Sequence, residues 1–178
     1  MTTNTKWAID PSHSEISFKI KHLVVTTLTG KFEEFEGVLE TENEDFNNAN
    51  INFSANIASI NTGNTDRDGH LKSDDFFNAE AFPQLTFVST SFTKSTGNEY
   101  NLLGNLTIRD ITNPVELKVE FGGTATDPYG NFKAGFELNG KISRKEFGLK
   151  WNALTEAGGA VVSDEVKLNL NIQLVKQA

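Results

Sequence analysis

Glu15-Ile16-Ser17-Phe18-Lys19-Ile20-Lys21-His22 is the stretch that decides the fold of this chain. Ile16, Phe18, Ile20 and His22 fall on one face, and Ser17, Lys19 and Lys21 on the other. Such alternation marks a strand with one buried and one wet face. The same period recurs along the chain. Ile51-Asn52-Phe53-Ser54-Ala55-Asn56-Ile57 and Leu85-Thr86-Phe87 repeat it. Leu102, Gly104, Leu106 and Ile108 share a face, as do Val115, Leu117, Val119 and Phe121. A long run follows from Phe132 through Ala134, Phe136, Leu138 and Gly140 to Ile142. Val166, Leu168, Leu170, Ile172 and Leu174 make the last. A further strand is expected over 31–40. Phe32 and Phe35 there are three apart, which breaks the alternation and calls for a bulge or bend.

These runs amount to about eight strands. The segments Arg109-Asp110-Ile111-Thr112-Asn113-Pro114 and Asp127-Pro128-Tyr129-Gly130-Asn131 carry strong turn chemistry. Short turns between successive strands imply antiparallel meander pairing. Long strands with interior glycines (Gly104, Gly135, Gly140) favour closure over an open sheet. The fold class read from the chain is all-β, an antiparallel eight-stranded barrel. Residues 62–81 do not alternate and read as a short helical lid. Thr65 is its expected cap, with Asp66 and Asp68 in the first turn, and Ser73 or Asp74 would cap the next short turn. Leu71, Phe76, Phe77 and Phe82 give the lid apolar anchors, and Pro83 ends it. The Asn/Glu cluster between Glu40 and Asn50 reads as a solvated turn.

At 178 residues the chain is expected to form one domain over 1–178, with its core over about 7–175. No apolar run reaches the ~18 residues of a membrane-spanning helix. Met1 to Lys6 lacks the apolar region of a secretory signal, which points to the cytoplasm, or to the periplasm if a leader has been removed. Cysteine is absent, so disulfides and thiolate metal sites are excluded. The net charge is −8 and Arg occurs only at 67, 109 and 144, which argues against nucleic-acid binding and, for the same reason, against tight electrostatic docking on anionic lipid.

Phe supplies 14 residues against 2 Tyr and 2 Trp, so the greasy face is rich in rings without polar handles. Such rings fill a core or line a pocket for an apolar ligand. Strand parity nominates Phe18, Ile20, Phe32, Phe35, Phe53 and Phe87 as lining. Leu106, Phe136 and Leu170 join them, with Phe76 and Phe77 from the lid. His13 falls in a turn, and His22 on the apolar face reads as a hydrogen-bonded core residue. His70 lies among Asp68, Asp74 and Asp75, but the spacing matches no metal signature, so no metal and no cofactor are expected. No phosphate loop, nucleophile elbow or paired-acid motif is present, so no catalytic residue is nominated.

Five motifs carry a resemblance. They are Trp7-Ala8-Ile9-Asp10-Pro11-Ser12-His13-Ser14 with the strand at Phe18; Gly69-His70-Leu71-Lys72-Ser73-Asp74-Asp75-Phe76-Phe77 with Phe82-Pro83; Leu103 to Ile108 with Thr112-Asn113-Pro114-Val115; Ile142-Ser143-Arg144-Lys145-Glu146-Phe147-Gly148-Leu149; and Ser163-Asp164-Glu165-Val166. In this order, from about Trp7 to Leu174, the chain resembles the YceI-like, polyisoprenoid-binding family. Ser143 stands where many relatives carry Asn. The resemblance implies a lipocalin-like barrel holding the tail of an isoprenoid or fatty-type lipid. It also implies, for many members, a periplasmic location. His70 and Arg144 are then candidate head-group contacts, Arg144 by a bidentate bond to phosphate or carboxylate. A strand-end ion pair is the alternative for Arg144. The leading reading is binding, carriage or sequestration. The alternatives are a lipid-modifying isomerase or hydrolase using His70, Asp74 or Arg144, and a barrel whose interior is filled. An exposed strand could also pair two copies into a homodimer.

Overall fold

The computed structural model describes residues 4–23, 25–42, 46–150 and 162–177. The first six strands are β1 (Thr5–Ile9), β2 (Glu15–His22), β3 (Thr26–Phe32), β4 (Phe35–Thr41), β5 (Asn50–Asn56) and β6 (Ile60–Asn61). One helix, α1 (Thr65–Lys72), separates them from β7 (Gln84–Lys94), β8 (Glu99–Ile108), β9 (Ile111–Thr126), β10 (Phe132–Ser143) and β11 (Val162–Lys176). All pairings are antiparallel. The first six strands are three long ones, each broken once. β1 and β2 both pair with β11, β3 and β4 pair with β2 and β1, and β6 and β5 pair with β3 and β4. Counted so, eight strands run up and down, and the pairing of β11 with β1 and β2 closes the barrel. Closure removes the edge strands of an open sheet.

Each break has a local cause. Pro11 brings no N–H to the ladder. Beside it the Asp10 carboxylate accepts from the Ser12 N–H at 3.1 Å and the Ser12 hydroxyl at 2.7 Å, setting a 3-10 turn over Pro11–His13. Between β3 and β4 the bend expected from Phe32 and Phe35 falls at Glu33-Glu34. The Glu33 N–H donates to Ser59 O, and Glu34 O accepts from the Asn56 N–H. Ile57–Ser59 form the third break, another 3-10 turn. β3 begins at Thr26, five residues before the expected start at Lys31, and pairs with β2 from His22–Thr26 to Ile16–Phe32.

Three expectations are corrected. The cap of α1 is Asn64, whose side chain accepts from the Arg67 N–H, and Thr65 is the first helical residue. Ser73 ends α1, with both its N–H and its hydroxyl donating to His70 O, so its hydroxyl does not cap the next turn, which its own carbonyl opens by accepting from the N–H groups of Phe76 and Asn78. The turn between β8 and β9 is Arg109-Asp110 alone, with Arg109 at φ +58°, and Thr112-Asn113-Pro114 already lie in β9. The Asp127–Asn131 turn forms as read: the Asp127 carboxylate accepts from the N–H groups of Tyr129 and Asn131.

One end of the barrel holds α1, the β2–β3 hairpin, the β8–β9 turn and the 3-10 turn Arg144–Phe147 after β10. The other end is closed by rings. Phe46 is 4% exposed and meets Trp7, Phe121 and Phe136 at centroid distances of 5.3, 5.4 and 5.0 Å. Phe46 sits in the Glu40–Asn50 segment, which is therefore more than a solvated turn: Phe46 and Ala49 are buried there. Residues 43–45 of that segment lie outside the described residues.

Candidate functional site

Between the ring-closed end and α1 the barrel encloses a cavity of about 620 Å³. Its wall is built by inward parity. Ile16, Phe18 and Ile20 come from β2, Phe53 from β5, Phe87 from β7, Leu102 and Leu106 from β8, Phe136 and Leu138 from β10, and Leu168, Leu170 and Ile172 from β11. The volume falls within the ~300–1,000 Å³ usual for ligand pockets. Ten of the eleven residues nominated from the sequence line it: Phe18, Ile20, Phe32, Phe53, Phe76, Phe77, Phe87, Leu106, Phe136 and Leu170. Phe35 is outside the wall. It starts β4 just past the bend, with its ring 6.3 Å from that of Phe53. A barrel filled by its own side chains is overturned by this cavity.

The polar lining gathers at one end. Apart from Ser17, the polar side chains of the wall are His22, Thr62, Asn64, Asp66, Arg67, His70 and Arg144. All seven sit at the α1 end. Asn64 and Asp66 are also solvent-exposed, so this end is the mouth. Here Thr62 is clamped. Its N–H and hydroxyl donate to Asp68, while Arg67 donates from Nε to the Thr62 hydroxyl at 2.8 Å and from Nη2 to Thr62 O at 2.7 Å. The clamp holds the Arg67 guanidinium in the wall.

The three histidines differ. His13 pairs with Asp10 through Nδ1 at 2.8 Å, away from the cavity. His70 Nε2 lies 2.8 Å from Asp75, and its ring packs edge-on against Phe76 at 5.1 Å. His22 was expected to be a bonded core residue. Its ring instead lines the cavity, half-buried, without a hydrogen-bond partner among the described residues. The signal for that exception was its place as the last inward residue of β2.

Arg144 is no strand-end ion pair at the surface. It is 2% exposed, and its guanidinium donates to Ser163 O, Leu149 O and Val162 O at 2.8, 2.5 and 3.1 Å. Burial pushes its pKa down, opposed by the charge of Asp164. Desolvation raises the Asp164 carboxyl, but the Ser143 hydroxyl, the Lys145 N–H and the charges of Lys145 and Arg144 together hold it below its ordinary value. Arg144 thus ties the start of β11 to the turn after β10, and it reaches the cavity wall.

Sequence reasoning missed Arg109. Its Nη1 donates to Asp74 O and Phe76 O at 2.9 and 3.0 Å, its Nη2 to the Asp74 carboxylate at 2.9 Å, and its guanidinium lies over Phe82. One residue of the β8–β9 turn therefore pins the whole lid. Asp74, a candidate acid, is engaged in that pin. Among the described residues no group of three or more potential metal ligands assembles, and no helix is long and apolar enough to cross a membrane.

Comparison with known proteins agrees with this geometry. Residues 7–174 match the family model described as the YceI-like domain. Protein YceI of Salmonella newport is 38% identical over 165 residues, covering 93% of this chain and 83% of that protein. The structure of the Campylobacter jejuni YCEI protein superposes with a TM-score of 0.75 at 32% identity, over 90% of this chain and 91% of that one. Two more distant structures share the fold. BcnA of Burkholderia cenocepacia has a TM-score of 0.80 at 22% identity, over 93% and 98% of the two chains. A polyisoprenoid binding domain from Saccharophagus degradans has a TM-score of 0.70 at 14% identity, over 96% and 98%. With its lipocalin-like barrel and its match over 7–174, the chain belongs to the YceI-like family.

Proposed function

We propose that the barrel binds one long-chain amphiphile of isoprenoid type, tail inward and head at the α1 end, for carriage or sequestration. The observation that carries this is the shape of the cavity: apolar along its length, stopped by rings at one end, polar at the other. A flexible hydrocarbon offers no hydrogen bonds and asks for none, so a dry wall of Phe, Leu and Ile suits it. At ~30 Å³ per water-sized group, the space takes a tail of about twenty carbons. At ~0.8 kcal/mol per methylene, burial of that tail supplies ~16 kcal/mol. Ordering and immobilisation offset ~4–15 kcal/mol of this, which leaves room for useful affinity without any catalytic group. The polyisoprenoid binding domain of Saccharophagus degradans, alike in fold, supports the choice of isoprenoid over other tails.

The polar end suits a head that accepts hydrogen bonds. The His22 ring is open to the cavity, and Arg67 is held in its wall. Binding without catalysis fits the engagement of the other candidates: Asp74 with Arg109, His70 with Asp75, Arg144 with three carbonyls. Organic extraction of the purified protein, followed by mass spectrometry, is expected to release one amphiphile per chain. Recovery of no lipid, together with no uptake of an isoprenoid quinone from detergent, would overturn the proposal.

A further inference from the structure

The outer face of β10, β11 and β2 is sorted by charge in rows. Register places Lys141 beside Lys167 and Lys167 beside Lys19. The next row toward the ring-closed end is Asn139, Asn169 and Ser17, and the one beyond is Glu137, Asn171 and Glu15. Rows of one face lie ~7 Å apart. The outer face of these three strands therefore passes from acidic to neutral to basic toward the mouth, and the row beyond sets exposed Glu165 beside Ser143. Three lysines abreast on adjacent strands repel one another, and directly opposed like charges destabilise a sheet. Lys19 and Lys167 have no carboxylate partner among the described residues, and Lys141 reaches only the exposed Glu165, at 3.8 Å. In a chain of net charge −8 this row is not background.

Beyond the lysine row the same strand continues with exposed Lys21, then His22 in the cavity wall, then the β2–β3 hairpin. At its tip Leu23 and Val25 are 43% and 82% exposed, and Leu23 is held at φ +55°. The following Thr26 and Thr27 are exposed and uncharged. An apolar tip, a lysine row on one side of the barrel and the mouth of an apolar cavity thus lie toward one end of the molecule, across from the acids of α1 and the lid.

We infer that this end docks on an anionic lipid bilayer, the lysine row against the headgroups and the side chains of Leu23 and Val25 among the acyl chains. A bilayer is favoured over an acidic protein because the exposed apolar side chains of Leu23 and Val25 share this end with the lysine row, and a bilayer takes both at once. Each lysine near an anionic bilayer contributes roughly five-fold in affinity, so three supply on the order of 100-fold. The charge gradient along the barrel orients the approach even though the whole chain is acidic. Docked so, the mouth opens onto the membrane, where a lipid ligand would enter. That last clause rests on the function proposed above; the docking does not.

The test is flotation with vesicles of phosphatidylglycerol and phosphatidylcholine, and with phosphatidylcholine alone. The protein is expected to float with the anionic vesicles at low salt and to be released at high salt. Replacing Lys19→Gln, Lys141→Gln and Lys167→Gln together is expected to weaken flotation by on the order of 100-fold. Because the change relieves repulsion, thermal stability should hold or rise. Leu23→Ser with Val25→Ser should slow transfer of an isoprenoid quinone out of vesicles while leaving its equilibrium loading from detergent unchanged. Absence of flotation at low salt, equal binding to neutral vesicles, or indifference to the lysine changes would each overturn the inference. Failure of detergent loading in the unaltered protein would instead overturn the cavity reading and leave the flotation result standing.

Discussion

The Phe18 ring occupies the space that a side chain at Gly30 would need. The two residues face each other across β2 and β3, and a Cβ on Gly30 would collide with Phe18 Cζ. The same arrangement recurs where Phe87 covers Gly104. A glycine here lets a large ring lie down along the wall instead of projecting into the bore. Part of the cavity therefore exists because these positions lack a side chain.

Gly30→Ala must accordingly lift Phe18 into the cavity. The overpacking is expected to lower stability by ~1–3 kcal/mol in urea unfolding. It should also reduce the length of tail retained after extraction. An alanine protein of unchanged stability and unchanged lipid content would show that Phe18 is free to move elsewhere.

Phe46→Ala removes the ring at the centre of the closed end, where Trp7, Phe121 and Phe136 converge. Such a truncation typically costs ~3–5 kcal/mol. Opening that end should also let longer isoprenoid chains compete with shorter ones, readable by mass spectrometry of a mixed-length loading. Stability within error of the unaltered protein would contradict the packing described.

Phe53→Asp places a carboxylate in the apolar wall. The expected outcome is a folded barrel, by far-ultraviolet circular dichroism, that no longer retains lipid. The aspartate would either demand water in the cavity or take up a proton. A folded variant with normal lipid content would show that the Phe53 ring does not meet the ligand.

Asp10 makes stability depend on pH. The Ser12 hydroxyl, then Lys133 and His13, hold its carboxyl far below the ordinary carboxylate range, against the opposing pull of desolvation. Lys133 also bonds Gln173 and lies near Asp127, whose own pKa is lowered by the Asn131 N–H and side chain. A depressed folded-state pKa contributes stability that is complete above the unfolded value near 4 and is lost as pH falls through the folded one. Unfolding free energy should therefore drop below about pH 4. Asp10→Asn should be less stable at neutral pH and show a shallower acid decline. Parallel acid limbs for the two proteins would remove Asp10 from that role.

The inward face of nearly every strand was legible, because alternation along β2, β8, β9, β10 and β11 reports burial directly. The bend at Glu33-Glu34 was legible for the same reason, from the broken spacing of Phe32 and Phe35. What stayed hidden depends on distant pairing. Phe46 lies in a polar tract with no period, and only the closed barrel brings it against Trp7 and Phe136. Arg144 follows a strand end, where a charge normally meets solvent, and is buried because the first residues of β11 and Leu149 turn their carbonyls onto its guanidinium. Phe35 is apolar and in the right strand, yet the bend leaves it outside the wall. The row of Lys141, Lys167 and Lys19 is invisible without the register that sets three separate segments side by side.

Among the described residues, the rings around Phe46 stop the bore at one end and leave its doorway at the α1 end. Whatever enters must leave by the same route, in reverse order, its last atoms first. A passage of this kind acts as a gauge: a guest shorter than the bore vanishes into it, and a longer one leaves its surplus protruding at the threshold beside Leu23 and Val25. The protein would then advertise the size of its cargo on its own exterior.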